Sequence, residues 1–200
     1  MLKNFLIGIP LRNFKNPMSR LENVLSVEKR IELSKAMFKN IVKSFKNEET
    51  KIVCITNDEL VIDYCKNNKI ETFSTKKGGL NHELEEFLHS YEYEYWTICH
   101  ADLPYLNNFY AQEWIKECRS SEIVICSSKD NGTPMLGGNF KIKKLMYGEN
   151  SFDKHMKIFL QENLKIKKSF NKEFSFEIDD EEDFKNFLQN RPRWSKNLEF

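Results

Sequence analysis

Three carboxylates stand where the sequence predicts the ends of extended segments. Asp102 follows the short apolar run 95–99, and a proline two residues later cannot extend that strand. Glu177 and Asp179 alternate around Ile178, so in an extended chain their side chains lie on one face. Mg²⁺ takes oxygen ligands and is commonly held by one or two carboxylates together with substrate phosphates. The chemistry expected of this set is metal-assisted handling of phosphate groups.

Helix capping is the alternative role for these acids. Asp102 could cap the helix that follows it, but Asn107 and Asn108 stand closer to that helix and can cap it instead. Asp180 and Asp183 are assigned to the first turn of the last helix, where acidic side chains favour the helix dipole. Asp102 is therefore left free for chemistry.

A basic segment follows the first predicted strand, which covers residues 4–9. It carries Arg12, Lys15, Ser19 and Arg20 and has little helical or strand periodicity. In α/β folds, the loop after the first strand often binds phosphates. We expect this segment to face the anionic part of a ligand.

A second candidate anion site lies before the amphipathic helix near residue 152. Gly148 and Ser151 would supply backbone N–H groups at the start of this helix, with Ser151 as its N-cap, and Thr133 offers a hydroxyl from a predicted hairpin. The same helix has an apolar stripe formed by Phe152, His155, Met156, Phe159 and Leu160. On this stripe, His155 is expected to be a core residue. His100 belongs to no recognisable metal-ligand spacing.

Length and composition indicate one domain that binds a small ligand. The chain has 200 residues, of which 40% are hydrophobic, enough for one sizeable core. Its 31 Lys and Arg residues nearly balance 30 Asp and Glu residues, which gives no electrostatic case for binding nucleic acid or membranes. We predict one domain over residues 1–190, a C-terminal extension over 191–200, and a cytoplasmic location with reduced cysteines.

The order of predicted elements favours an α/β fold with a mixed, mostly parallel sheet flanked by helices. Strands and helices alternate up to about residue 127, which is typical of βαβ units. The turn residues 130–133 then predict a hairpin rather than another crossover. Late strands are expected at 165–170 and 174–178, before the last helix.

The order of several short motifs is more specific than any one of them. They are Ile9-Pro-Leu-Arg12, Ser19-Arg20-Leu21, Gly79-Leu80-Asn81, His100-Ala-Asp102-Leu-Pro104, Asn131-Gly-Thr133, Tyr147-Gly148, Ser151-Phe152 with His155, and Glu177-Ile-Asp179 with Asp183. Together they resemble the 2-phospho-L-lactate guanylyltransferase family of coenzyme F420 biosynthesis over about residues 5–188. That family has a single-domain, glycosyltransferase-A-like nucleotidyltransferase fold of Rossmann-like character. Its members join GMP from GTP to a small phosphorylated acid (phospholactate, phosphoenolpyruvate or 3-phosphoglycerate) and release pyrophosphate.

The resemblance assigns a role to each matching residue. It implies that Mg²⁺ is held by Asp102, Glu177 and Asp179, and that the acceptor's phosphate or carboxylate is received by Thr133, Gly148 and Ser151. The nucleoside triphosphate would contact Pro10, Leu11, Arg12, Arg20, Gly79, Leu80, Asn81, Ala101 and Asp102. Catalysis would involve Arg12, Lys15, Arg20 and Asp102, the cations offsetting charge on the leaving pyrophosphate.

The chain also departs from the family's motifs. Arg12 stands where the family usually has a lysine, Met18 replaces a basic residue before Ser-Arg-Leu, and Glu177 replaces the first aspartate of a late Asp-Ile-Asp. Lys15 could supply the charge missing at Met18. These substitutions bear on the substrate more than on the reaction.

Alternative functions remain open at the level of sequence. The chain could be a cytidylyltransferase acting on a phosphonate or another phosphorylated acid in surface-polymer or natural-product synthesis. It could also be a homologue that binds a nucleotide without turnover. A sugar-nucleotide transferase is less favoured, because the glycine-rich loop usual after the first strand is absent. The assembly is expected to be a monomer or a homodimer.

Overall fold

Short apolar runs and amphipathic segments alternate along the chain and form strands and helices in that order. The computed structural model describes residues 4–75 and 78–200. The strands are β1 (Phe5–Pro10), β2 (Thr50–Ile55), β3 (Glu71–Phe73), β4 (Tyr95–Cys99), β5 (Ile123–Cys126), β6 (Met135–Gly138) and β7 (Ile166–Ser169). The helices are α1 (Val27–Phe45), α2 (Glu59–Asn67), α3 (Leu80–Ser90), α4 (Asn108–Ser120), α5 (Ser151–Gln161), α6 (Lys172–Ser175) and α7 (Glu181–Gln189), with 3₁₀ turns at Ser19–Leu21 and Arg193–Ser195.

The strands form one sheet in the order β3-β2-β1-β4-β6-β5-β7. Four of the six strand pairings run parallel, and only β6 is antiparallel, to β4 and to β5. The β5–β6 connection is the hairpin expected at residues 130–133. The prediction of a mixed, mostly parallel sheet is therefore confirmed, and the carboxyl ends of β1, β2 and β4 meet at one edge.

Helices cover both faces of the sheet, because side chains of alternate strand residues enter two separate apolar clusters. Phe5, Ile7 and Ile9 of β1 pack with buried residues of α1, α2 and α4. Leu6 packs on the opposite face, among buried residues of α3 and α5. Gly8 allows that close packing, since a Cβ atom at this position would lie 2.5 Å from Phe87 of α3.

A third cluster joins α7 to α1 and to the loop after β1. It contains Leu21, Met37, Ile178 and Phe187, with Trp194 packed against it. The indole N–H of Trp194 also donates to the carbonyl of Pro104, at 2.9 Å. Residues 191–200 therefore contact the same domain that carries the predicted site.

Three local predictions are wrong. Residues 174–178 form no strand: Phe174 lies in the short helix α6, where its ring packs 5.0 Å from that of Trp114, and the following residues pair with no strand. Ser151 does not cap α5, because Asn150 occupies the N-cap position in a left-handed conformation. Leu160, expected on the apolar stripe of α5, is 61% exposed.

None of the helices in the two described ranges is both long enough and apolar enough to cross a lipid bilayer.

Candidate active site

The three predicted metal ligands come together at the carboxyl edge of the sheet. Asp102 lies in the turn after β4, and Glu177 and Asp179 lie in the irregular segment between α6 and α7. The N–H of Ile178 donates to the carbonyl of Asp102, at 3.3 Å. This bond ties the two segments to each other, so acids that are far apart in sequence face one site.

Glu177 is the centre of this acidic group. It shares one set of potential ligand atoms with His100 and Asp102, and a second set with Asp130 and Asp179, and within each set the atoms lie no more than 4.8 Å apart. Asp102 and Asp179 are thus each adjacent to Glu177 but belong to different sets. The set of three predicted from the sequence is therefore spread over two overlapping clusters.

One oxygen of Asp102 shows that this group suits a cation. Oδ1 of Asp102 is buried and has no hydrogen-bond partner among the described residues. A buried carboxylate oxygen without a partner is costly unless something compensates its charge. Hard cations such as Mg²⁺ supply that compensation and prefer carboxylate oxygens, so the donors present fit Mg²⁺.

Burial and mutual repulsion disfavour the charged forms of Asp102 and Asp179. Burial, followed by the charge of Glu177, raises the pKa of Asp102 to about 7. Burial, followed by the charges of Asp102 and Asp130, raises the pKa of Asp179 to about 6. For His100, burial works to lower the pKa, but the nearby carboxylates outweigh it and raise the pKa to about 9. The site thus concentrates negative charge that one histidine offsets only in part.

His100 is a neighbour of the acids that the sequence did not reveal. Its Nδ1 lies 2.6 Å from Oε1 of Glu177, and with a pKa raised to about 9 the ring is a charged donor near neutral pH. The contact spans 77 positions in the chain, so no local spacing announces it. Asp130 was also missed, because it was interpreted only as a turn residue.

A second charged group holds Asp179 in place. Asp183 is buried and accepts hydrogen bonds from the backbone N–H groups of Asp179 and Asp180, at 3.2 and 3.3 Å. Lys129 donates to both oxygens of Asp183, at 2.8 and 2.7 Å, and to Asp180 at 2.9 Å. Asp180 and Asp183 form a capping box on α7, so their predicted capping role is confirmed. The same cap fixes the backbone that carries Asp179.

A cleft of about 370 Å³ runs from Asp102 along the end of β1. Most residues predicted to contact the nucleotide line it, namely Pro10, Leu11, Arg12, Leu80, Ala101 and Asp102. Arg12 is exposed, and so is Lys15, which does not line this cleft. The loop that carries them is anchored by Arg30 of α1, which donates to the carbonyl of Pro17 at 2.9 Å.

The three other predicted nucleotide contacts have different surroundings. Arg20 is exposed, and its charge lowers the pKa of Asp179, against the raising effects of burial and neighbouring acids. Asn81 uses both polar atoms of its amide on the backbone of Tyr147: Nδ2 donates to the carbonyl at 3.1 Å, and Oδ1 accepts from the N–H at 2.6 Å. Asn81 therefore ties α3 to the loop before α5. Gly79 precedes α3 with a φ of 113°.

The predicted acceptor residues surround a buried hydrogen-bond chain. The N–H of Met146 donates to Nε2 of His155 at 2.9 Å, so a neutral His155 carries its proton on Nδ1, which lies 3.1 Å from Oγ1 of Thr133. The hydroxyl of Ser151 donates to the same Oγ1 at 3.0 Å. This bond takes the hydroxyl that was expected to cap α5.

Within the described ranges, this hydrogen-bond chain leaves one hydroxyl proton without an acceptor. Thr133 and Ser151 have two hydroxyl protons between them, and their mutual bond uses one. Thr133 is fully buried and Ser151 is 2% exposed. Gly148, three residues before Ser151, is exposed and has a φ of 122°, a conformation that favours glycine. His155 is buried as predicted, and its ring nitrogens fix the direction of this chain.

Comparison with protein families agrees with the motifs. The family model described as "Guanylyl transferase CofC like" matches residues 5–195. The chain belongs to this family. The resemblance drawn from the motifs is confirmed, and the match covers both the acidic site and the cleft.

Individual relatives and solved structures are consistent with this family match. A 2-phospho-L-lactate guanylyltransferase of Methanocaldococcus jannaschii is 29% identical over 159 residues, which is 78% of this chain and 70% of the relative. A crystal structure from Desulfovibrio desulfuricans G20, described as a nucleotide-diphospho-sugar transferase, superposes with a TM-score of 0.77 at 13% identity, over 100% of this chain and 90% of the other.

A 4-diphosphocytidyl-2C-methyl-D-erythritol synthase from Anaerococcus prevotii superposes with a TM-score of 0.63 at 13% identity, over 94% of this chain and 97% of the other. At such low identity the two superpositions show a shared fold alone. They confirm the predicted nucleotidyltransferase fold class.

Proposed function

We propose that this protein is a Mg²⁺-dependent nucleotidyltransferase. It joins GMP, taken from GTP, to a small phosphorylated carboxylic acid and releases pyrophosphate. The family match and the curated relative named 2-phospho-L-lactate guanylyltransferase support this proposal. The acceptor is of the phospholactate, phosphoenolpyruvate or 3-phosphoglycerate type.

The observation that carries the proposal is the buried, unpartnered oxygen of Asp102 at the end of the cleft. A phosphate group lying in that cleft would bring its own negative charge next to Asp102, Glu177 and Asp179. Such an arrangement is stable only with a cation between the two anions. The site thus suits a nucleotide delivered with its metal.

These three acids would hold Mg²⁺ through their carboxylate oxygens. When bound, Mg²⁺ neutralises charge on the phosphates and polarises the phosphorus under attack. His100 would act on the same group indirectly, because its bond to Glu177 fixes the direction of that carboxylate. The backbone bonds accepted by Asp183 do the same for Asp179.

The nucleotide would lie along the end of β1. Arg12 lines the cleft beyond Asp102, and Arg20 lies near enough to Asp179 to influence its charge. Both guanidinium groups are suited to phosphate oxygens, because their donors match the spacing of two acceptors. We assign them, with Lys15, to the triphosphate and to the charge that develops on the leaving pyrophosphate.

The acceptor would bind on the α5 side of the acids. Ser151 is the first residue of α5, so its N–H has no partner within the helix and favours an anion. Gly148 lets a ligand approach the backbone closely, and the buried hydroxyls of Thr133 and Ser151 would support the start of α5 through their mutual bond. These groups would receive the acceptor's phosphate or carboxylate.

The reaction itself needs little chemistry from the side chains. An oxygen of the acceptor's phosphate forms a bond to the α-phosphorus of GTP while the bond from that phosphorus to the bridging oxygen of pyrophosphate breaks. The attacking oxygen is already anionic near neutral pH, so no general base is required. Catalysis then consists of alignment of the two anions and neutralisation of their charge.

A substrate screen tests the proposal. Pyrophosphate release is measured with each of ATP, GTP, CTP and UTP against a panel of phosphorylated acids, with Mg²⁺ and with EDTA. We expect release with GTP and a three-carbon phosphorylated acid, and none with EDTA. Release only with CTP would favour the cytidylyltransferase alternative. Nucleotide binding without release under any combination would favour the non-catalytic alternative.

A further inference from the structure

A second cleft continues the first one past β1. It measures about 350 Å³ and shares residues 10–13 and Leu80 with the cleft that ends at Asp102. Beyond these shared residues it is lined by Asn57, Asp58 and Glu83. If the triphosphate lies at the acidic end, as in the proposed function, the base of the nucleotide points toward this second cleft. Its polar residues then become candidates for base selection.

Glu83 enters this cleft in a fixed orientation. It lies one helical turn after Leu80 on α3, so the two side chains share a face of the helix. Oε1 of Glu83 accepts a hydrogen bond from Nδ2 of Asn57 at 3.1 Å. Oδ1 of Asn57 in turn accepts from the N–H of Thr75 at 3.1 Å, which fixes which end of the amide faces Glu83. Glu83 is therefore held as an acceptor.

Oε2 of Glu83 and the second lone pair of Oε1 remain available to a ligand. Among the described residues, the only hydrogen bond to the Glu83 side chain is the one from Asn57 to Oε1. Glu83 itself is half-buried, whereas its bond to the exposed Asn57 lies at the surface, so the carboxylate can be reached by a ligand. The cleft thus presents one oriented carboxylate edge to whatever base enters it.

We propose that Glu83 selects guanine by accepting hydrogen bonds from the ring N1–H and from the exocyclic amine at C2. A carboxylate only accepts hydrogen bonds, and guanine is the base that offers two adjacent donors on one edge. Adenine and cytosine place a ring nitrogen acceptor next to their amine. Uracil places a carbonyl on each side of its N3–H. Each of these bases would place a hydrogen-bond acceptor opposite the carboxylate, which itself can only accept.

Asp58 is the competing carboxylate in the same cleft. Its Oδ1 accepts from the N–H of Val61 at 3.0 Å and so caps α2. An Asn at this position can keep that cap, since Asn and Asp are equally good N-cap residues. Asp58→Asn therefore removes the negative charge without a large change in fold, and it is the matched control for Glu83→Gln.

The test is direct binding of three purine nucleotides and of CTP with Mg²⁺, measured by isothermal titration calorimetry. GTP is compared with ITP, which lacks the amine at C2, and with XTP, which has a carbonyl there. We expect the wild-type protein to bind GTP at least about tenfold more tightly than ITP, since a site built for a hydrogen bond rejects the analogue that lacks it. Glu83→Gln should lose this preference and bind XTP more tightly than GTP, because its amide N–H can donate to the new carbonyl. Asp58→Asn should keep the wild-type order.

Three results would overturn the assignment: equal affinity of the wild type for GTP and ITP, a wild-type preference for CTP, or a switch to XTP caused by Asp58→Asn and not by Glu83→Gln. Thermal unfolding of both variants confirms that they are folded. Because binding is measured separately from pyrophosphate release, the two proposals can fail independently. Selective GTP binding without turnover would contradict the proposed function alone. GTP-dependent turnover that Glu83→Gln leaves unchanged would contradict the role of Glu83 alone.

Discussion

His155 should make the stability of this protein fall as the solution is acidified below about pH 6.5. The side chain is fully buried, and both ring nitrogens are engaged, with Met146 and Thr133. Burial, followed by the positive charge of His100, lowers the pKa of His155 from 6.5 to about 4. A neutral ring is required because Nε2 must accept the Met146 N–H, and a protonated ring could not accept it.

The sign and size follow from proton linkage. Between pH 6.5 and 4 the unfolded chain binds a proton on this ring while the folded chain does not, so acidification favours unfolding. For a shift of this size the loss is about 2 kcal/mol at pH 5, and it approaches about 3 kcal/mol below pH 4. Above pH 6.5 both states are neutral at this ring, and the contribution vanishes.

The assay is urea unfolding of the wild type and of His155→Gln at several pH values from 7.5 to 4.5, without nucleotide. Asp102 and Asp179 titrate in the same range with raised pKa values, which opposes the effect, but they are common to both proteins and cancel in the difference. We expect the stability advantage of the wild type over His155→Gln to shrink by about 2 kcal/mol between pH 7.5 and 5. His89→Gln, at an exposed histidine, is the control and should show no such change. A difference for His155→Gln that stays constant with pH would show that the fold does not keep this ring neutral.

Asp183→Asn should lower the free energy of unfolding in urea by about 2 kcal/mol, because it weakens the bonds of a buried carboxylate to Lys129 and to two backbone N–H groups. A loss near zero would mean that the group is only a surface cap. Gly148→Ala should raise the KM of the acceptor much more than that of the nucleotide. A φ of 122° strains any residue other than glycine, while an added Cβ meets no atom. Equal rises in the two KM values would contradict the acceptor assignment. Glu177→Asp restores the acid usual in the family but shortens the side chain that meets His100 at 2.6 Å, so kcat on the natural acceptor should fall by tenfold or more. Faster turnover on every acceptor would show that the glutamate is a defect.

Sequence periodicity was sufficient to predict the type of sheet and the positions of most helices. Apolar alternation, turn residues and caps act over a few residues, so the parallel strands, the hairpin and the capping by Asn107 and Asp180 could be predicted. The sequence also indicated that Asp102 does not cap a helix, because Asn107 stands closer to the start of α4. These features depend on local chemistry that the chain displays in order.

The incorrect predictions concern residues whose structure is determined by contacts with residues far away in the sequence. The segment 174–178 has the composition of a strand, but its first two residues belong to the short helix α6, and the ring of Phe174 packs against Trp114. Ser151 looks like an N-cap, but its hydroxyl is taken by Thr133, 18 positions earlier in the chain. The pairing of His100 with Glu177 likewise depends on how the fold brings two segments together.

The most direct test of the account compares pyrophosphate release by the wild type and by Asp102→Asn, with GTP, a phosphorylated acid and Mg²⁺. An amide at position 102 keeps the shape of the side chain but removes the charge that a hard cation requires. We predict a fall in kcat of at least about 100-fold with unchanged secondary structure and an unfolding temperature no lower than that of the wild type, since a crowded, partly buried charge is removed. A folded Asp102→Asn variant that releases pyrophosphate at near the wild-type rate would contradict the account.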